Sequence, residues 1–180
     1  TLNTVNAWAV QMEAFPEHPN YEFVIYIADQ NSIYTLAYMY ENDHNFGAID
    51  NIFLSDEIST YKDIAFADGL VYFAKGTNGV DVYQTEGTHS FSMNNYDYTF
   101  NCYMHVPCYL GNYNTSVLAN RIDVFEDKLA VSDWDDIEIL QWDGQELNLI
   151  GYKNTTRRTM AIGTKDNYIY SGEWASVQVF

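Results

Sequence analysis

The chain has 180 residues, 47% hydrophobic and 17% aromatic, which excludes a disordered tail and leaves room for one domain with a sizeable core rather than two. Its 25 Asp and Glu against 8 Lys and Arg give a formal charge of −17, so phosphate backbones and anionic membrane surfaces are poor partners and no nucleic acid is expected. The acids are spread along the chain, which leaves cation binding, or plain solubility of a secreted protein, as what the charge can do.

The first apolar run, Phe23-Val-Ile-Tyr-Ile-Ala28, is strand-sized, and no run approaches the roughly 20 apolar residues that span a bilayer, so no membrane insertion is expected. The sequence opens at Thr1 without an initiator Met or signal peptide and reads as a mature or excised segment. With 16 Tyr but only 10 Gly and 3 Pro, the chain suits half-buried β surface or an interface.

Four segments share one pattern: an apolar strand, an acidic or Gly turn, a strand closed by a small residue, another turn, and an alternating strand. They cover residues 21–36, 63–83, 121–140 and 160–180. Aligned on the small residue, the anchors are Ala28, Ala74, Ser132 and Ser171, spaced by about 46, 58 and 39 residues, which brackets the period of propeller blades. Four repeats follow, at about 5–58, 59–118, 119–156 and 157–180, and the long middle spacing is an insertion carrying both cysteines. Val80-Asp-Val-Tyr83 and Ile137-Glu-Ile-Leu140 alternate at period two, and Asp68-Gly69 and Asn78-Gly79 are hairpin signals. Fourth strands are predicted at 48–54, 96–100 and 146–151. The last repeat stops after its third strand at Phe180. A fourth strand would come from residues 1–5, from a longer parent propeller, or from a neighbouring subunit. The expected fold is all-β, a β-propeller-like repeat domain of about four blades.

At these residues the chain resembles the LVIVD-repeat β-propellers of bacterial and archaeal surface proteins. Residues 70–83 match that repeat best and 129–140 next, although the closing acid is missing after Tyr83 and the first repeat carries an insert around Pro16 and Pro19. The resemblance implies a surface-protein propeller. A second resemblance, to four-bladed hemopexin-like domains, rests on Asp63-Ile-Ala-Phe66 with Tyr72-Phe-Ala-Lys-Gly76. Those domains join first and last blades by a disulfide, which Cys102 and Cys108 cannot do at a separation of six.

Cys102-Tyr-Met-His105-Val-Pro-Cys108 has three readings. The thiols close a small loop as a disulfide in an oxidising compartment, they stay free and buried, or they join His105 as a metal set one ligand short of the four zinc takes. The disulfide is the preferred reading. The turns between second and third strands gather on one propeller face and present Asp29 and Gln30, Lys75 and Gly76, Asp133, Trp134 and Asp135, and Glu173 with Trp174. Two Trp flanked by acids suit stacking on a sugar or a protein contact; alternatively they pack between blades. The candidate ligand-binding set is therefore Asp133, Trp134, Asp135, Glu173 and Trp174. Asp133, Asp135, Asp136 and Glu138 crowd one hairpin, and the first three are calcium candidates. They lack the spacing of a calcium loop, and a solvated tip is the plain alternative. Asn114-Thr-Ser and Asn154-Thr-Thr are glycosylation acceptors in predicted loops.

No phosphate loop, nucleophile elbow or zinc-protease motif occurs, and His18, His44, His89 and His105 stand in unrelated contexts. The expectation is a non-catalytic extracellular or cell-surface module for protein contact or self-assembly. Its partners would be another protein or further copies of itself, and no cofactor is expected beyond possible calcium. The alternatives are a carbohydrate or calcium binder on the acidic, Trp-bearing face, and a polysaccharide hydrolase using two carboxylates.

Overall fold

Residues 6–14, 21–30, 32–39, 46–53, 60–93, 96–155 and 157–180 are described by a computed structural model, and among them there is no helix. The first sheet is formed by β1 (Ala7–Ala14), β2 (Tyr21–Asp29), β3 (Ser32–Met39) and β4 (Phe46–Phe53), in that order and antiparallel throughout. The second begins with β5 (Asp63–Ala67), β6 (Leu70–Ala74) and β7 (Val80–Gln84). A separate hairpin, β8 (Gly87–Met93) and β9 (Tyr96–Cys102), then leaves the sheet before β10 (Cys108–Tyr113) returns as its outer strand. The third sheet is β11 (Ala119–Phe125), β12 (Lys128–Asp133), β13 (Asp136–Trp142) and β14 (Leu147–Asn154). The fourth has three strands, β15 (Thr159–Lys165), β16 (Tyr168–Glu173) and β17 (Ser176–Val179).

The turn chemistry explains the hairpins. Asp68 and Gly69 join β5 to β6 with φ of 49° and 76°, the left-handed pair that a two-residue hairpin needs. Glu126 and Asp166 open the matching turns of the third and fourth sheets at φ 52° and 54°.

The first strands lie side by side in chain order, β1 on β5, β5 on β11 and β11 on β15, so the four sheets fan out from a common line as in a β-propeller. Acids on the first strands tie neighbours together. Asp63 accepts the Ile122 amide at 3.0 Å, and Asp123 accepts the Thr164 amide at 2.6 Å and its hydroxyl at 3.0 Å. One buried cluster between the first and second sheets contains Tyr26, Ile33, Tyr61, Phe73 and Tyr83. Another, between the second and third, contains Tyr72, Val80, Val82, Leu129, Val131 and Leu140.

Three expectations are corrected. The fourth strand of the second sheet is β10; residues 96–100 belong to the β8–β9 hairpin, where Tyr96 to Phe100 are exposed. Gly172, not Ser171, is equivalent to Ser132, because Gly172 pairs with Ala161 as Ser132 pairs with Arg121, each just past a bulge. Asn154 ends β14 rather than sitting in a loop, whereas Asn114 does lie in one. Residues 1–5, the Pro16 and Pro19 insert, His18 and His44 lie outside the described residues.

Candidate functional site

Strand β12 ends in Asp133 and β13 starts at Asp136, so the two-residue turn Trp134-Asp135 brings three acids together. Each of Asp133, Asp135 and Asp136 offers a carboxylate oxygen within 4.8 Å of the others. Period-two alternation then places Glu138 on the same side of β13 as Asp136.

Asp133 is fully buried and saturated by the chain that enters the third sheet. Its Oδ2 accepts the Ser116 hydroxyl at 2.6 Å and the Val117 amide at 2.8 Å, and its Oδ1 accepts the Leu118 amide. Asp29, at the matching end of β2, accepts the Asn6 amide at 2.5 Å in the same manner. Asp133 is therefore first a latch on residues 116–118, a role the sequence reading missed because its donors lie about 16 residues away. In the fourth sheet Glu173 ends β16 and accepts the Ser176 hydroxyl at 3.1 Å.

Arg158 joins the two Trp hairpins. Its guanidinium lies 4.6 Å over the Trp134 ring and its carbonyl accepts the Trp174 amide at 3.0 Å. Trp134 adopts a left-handed φ of 52°, and its carbonyl accepts the Thr159 amide at 2.8 Å. Trp174 is 71% exposed, so only Trp134 is covered by the neighbouring sheet's entry segment. The candidate ligand set thus divides: Asp133, Trp134 and Asp135 form one hairpin, and Glu173 with Trp174 the next, bridged by Arg158.

Around Asp136 and Glu138 the electrostatics are unfavourable to charge. Burial, reinforced by Asp133 and Asp135, pushes the Asp136 carboxyl up to about 6. Burial and then Asp133 lift Glu138 to about 7, against the favourable Ser116 amide. Both groups hold their proton more tightly folded than unfolded, so the metal-free protein is stabilised as pH falls through 7 and destabilised as it rises. Urea unfolding in chelator is expected to show a loss of about 2–4 kcal/mol between mildly acidic and mildly alkaline buffer. A profile that is flat or rises toward alkaline pH would remove this account.

The Cys102 and Cys108 sulfurs form a disulfide, with Cα atoms 5.2 Å apart, which replaces the free-thiol and metal readings. The enclosed loop docks on the first sheet: Tyr26 donates its hydroxyl to the Met104 carbonyl, and Thr35 donates to the His105 carbonyl at 2.7 Å. Met104 is 3% exposed. The bridge thus fixes a segment that packs on β2 and β3. Asn114 and Asn154 are both exposed.

No known family's sequence profile matches the chain, and no curated protein matches it. Solved structures do. The computationally designed Ika4 protein is similar over 100% of this chain and 92% of its own, with a TM-score of 0.65 at 14% identity. A chain of the Mitotic Checkpoint Complex is similar over 87% of this chain, with a TM-score of 0.57 at 12% identity; this chain spans 44% of that one. At such identity the likeness concerns the fold alone.

Proposed function

We propose that the chain is a non-catalytic extracellular or cell-surface module whose task is protein contact, foremost with further copies of itself. The observation that carries this reading is that the two end faces of the arc repeat the residues that the inner sheets bury. Cross-strand pairing puts Val10 with Ile27 and Met12 with Ile25 on the outward face of the first sheet. Ile25 and Ile27 hold the register positions of Val71 and Phe73 in the second sheet and of Leu129 and Val131 in the third, all buried against the preceding sheet. At the other end, Tyr170, Val177 and Val179 hold the positions of Tyr72, Val80 and Val82, which are buried against the third sheet. Val10 is 62%, Met12 57%, Val177 72% and Val179 54% exposed.

Among the described residues a front face and a back face of one repeat are therefore both exposed, and the two carry the same residues that the inner sheets press together. Head-to-tail stacking of a second copy buries both kinds of face, a contact that closes as a ring or runs on as an array. The disulfide supports an oxidising compartment, the exposed Asn114 and Asn154 support glycosylation there, and the LVIVD-like hairpins support a surface protein.

Light scattering of the purified protein is expected to give a mass that is a multiple of the chain's, rising with concentration. Val177→Glu and Val10→Glu, one at each face, are each expected to give the monomer mass with an unchanged circular dichroism spectrum. A wild type that is monomeric at every concentration, or variants that associate as it does, would refute the assignment.

A further inference from the structure

The second and third sheets treat the same buried acid differently. In the second, Asp81 on β7 is 1% exposed and carries its own countercharge: Lys75 Nζ lies 3.1 Å from its Oδ2. Asn112 donates to its Oδ1 at 2.8 Å, and the Tyr61 hydroxyl donates to Oδ2 at 3.4 Å. Glu138 occupies the same register position in the third sheet, since Ser132 pairs with Ile137 as Ala74 pairs with Val80. There the place of Lys75 is taken by Asp133, so the countercharge is replaced by another acid.

Glu138 is 4% exposed. Its Oε1 accepts the Ser116 amide at 3.3 Å, while its Oε2 is buried with no hydrogen-bond partner. Asp136 is 9% exposed, and its Oδ1 is likewise buried without a partner. Ser116 ties Glu138 to the trio, because its hydroxyl donates to Asp133 at 2.6 Å. The Thr115 hydroxyl, one residue earlier, is a further buried oxygen without a partner. Among the described residues no Lys or Arg forms an ion pair with these four acids. Burying such a charge without compensation costs several kcal/mol.

We infer that the hairpin of Asp133, Asp135, Asp136 and Glu138 is a divalent-cation site that supplies the countercharge Lys75 gives to Asp81. All its donors are oxygens, with no His or Cys in the group, so it suits a hard cation, and the several carboxylates in irregular array suit Ca²⁺. Asp135 and Asp136 supply the carboxylate ligands, and Glu138 adds the uncompensated buried charge of its carboxylate on the same side of β13. Asp133 adds charge while its own oxygens hold residues 116–118. A bound ion pins the β12–β13 hairpin to the segment that joins the second sheet to the third. This inference is independent of assembly, since the site lies at an inner junction and not on an end face.

The test compares thermal unfolding of the chelator-stripped protein with and without about 1 mM CaCl₂ near neutral pH, the affinity range of extracellular calcium modules. The melting temperature is expected to rise by about 4–8 °C, with a saturable change in Trp134 fluorescence. Asp135→Asn combined with Glu138→Gln should melt at least as high as wild type in chelator and lose the calcium shift. Asp127→Asn, at an exposed acid beside Lys128, should keep it. An absent shift in wild type, an equal shift from NaCl at matched ionic strength, or a shift retained by the double variant would each overturn the assignment.

Discussion

Gly79→Ala is expected to destabilise the protein by about 3–5 kcal/mol, whereas Gly69→Ala, at the same φ of 76°, costs only about 1 kcal/mol. Both substitutions force a side chain into left-handed backbone. Only at Gly79 does the new carbon meet other atoms: it would sit 2.0 Å from the Tyr113 carbonyl oxygen, 2.7 Å from Asn114 Cα and 2.8 Å from the Thr115 amide. All three are backbone, so no rotamer change relieves the clash. A side-chain carbon added at Gly69 would meet nothing within 4 Å beyond its own chain neighbours. The turn cannot move away either. Lys75 donates its amide to the Gly79 carbonyl at 2.7 Å, and Asn112 donates its side chain to the Asn78 carbonyl at 2.8 Å. The difference between the two variants in urea unfolding therefore measures how closely the exit of β10 passes the β6–β7 turn. Equal costs would mean that residues 113–115 do not cross there, and β10 would lose its place as outer strand of the second sheet.

That crossing is also where sequence and structure part. Asp68-Gly69 is legible because a two-residue hairpin with both φ positive admits few other pairs. The alternation of Val80 to Tyr83 and of Ile137 to Leu140 is equally legible as strand, although both faces are buried and the polar members Asp81 and Glu138 lie inside. Residues 96–100 read as the fourth strand and 108–113 as part of the insertion, because nothing local says which of them pairs with β7. The choice is made at long range. The disulfide and the docking of Met104 on Tyr26 turn the chain back after β9, so Cys108 enters the sheet opposite Gln84. The acidic hairpin was visible because its members are adjacent in sequence. Its surroundings were not: the donors at 116–118 and the guanidinium of Arg158 come from segments 15 to 24 residues distant, with no shared period. The contrast between Asp81 and Glu138 likewise needs the register of two hairpins before it means anything.

Phe73→Ala tests the packing of the first two sheets and is expected to cost about 3–5 kcal/mol. The ring is fully buried and lies at the centre of an aromatic group. The Tyr83 ring meets it edge-on at 5.5 Å, Tyr61 edge-on at 6.1 Å, and Tyr26, reaching over from the first sheet, lies at 6.1 Å. Edge-to-face pairs of this kind add about 0.5–1.5 kcal/mol each beyond area burial, and the neighbours are held too firmly to collapse into the cavity. Tyr26 is anchored through the Met104 carbonyl and Tyr61 through Asp81. Tyr83→Phe supplies the contrast in the same cluster. The Tyr83 hydroxyl is buried without a hydrogen-bond partner, and burial drives its ionisation far above the usual range. Removing it relieves a desolvated polar group and keeps the ring, so the change should be neutral or stabilising by up to about 1 kcal/mol. Denaturant unfolding monitored by circular dichroism separates the two. A cost below about 1 kcal/mol for Phe73→Ala would mean that the first sheet does not seat on the second through these rings. A clear loss for Tyr83→Phe would show that the hydroxyl has a partner after all, and with it a different arrangement of the cluster that Tyr83 shares with the first sheet.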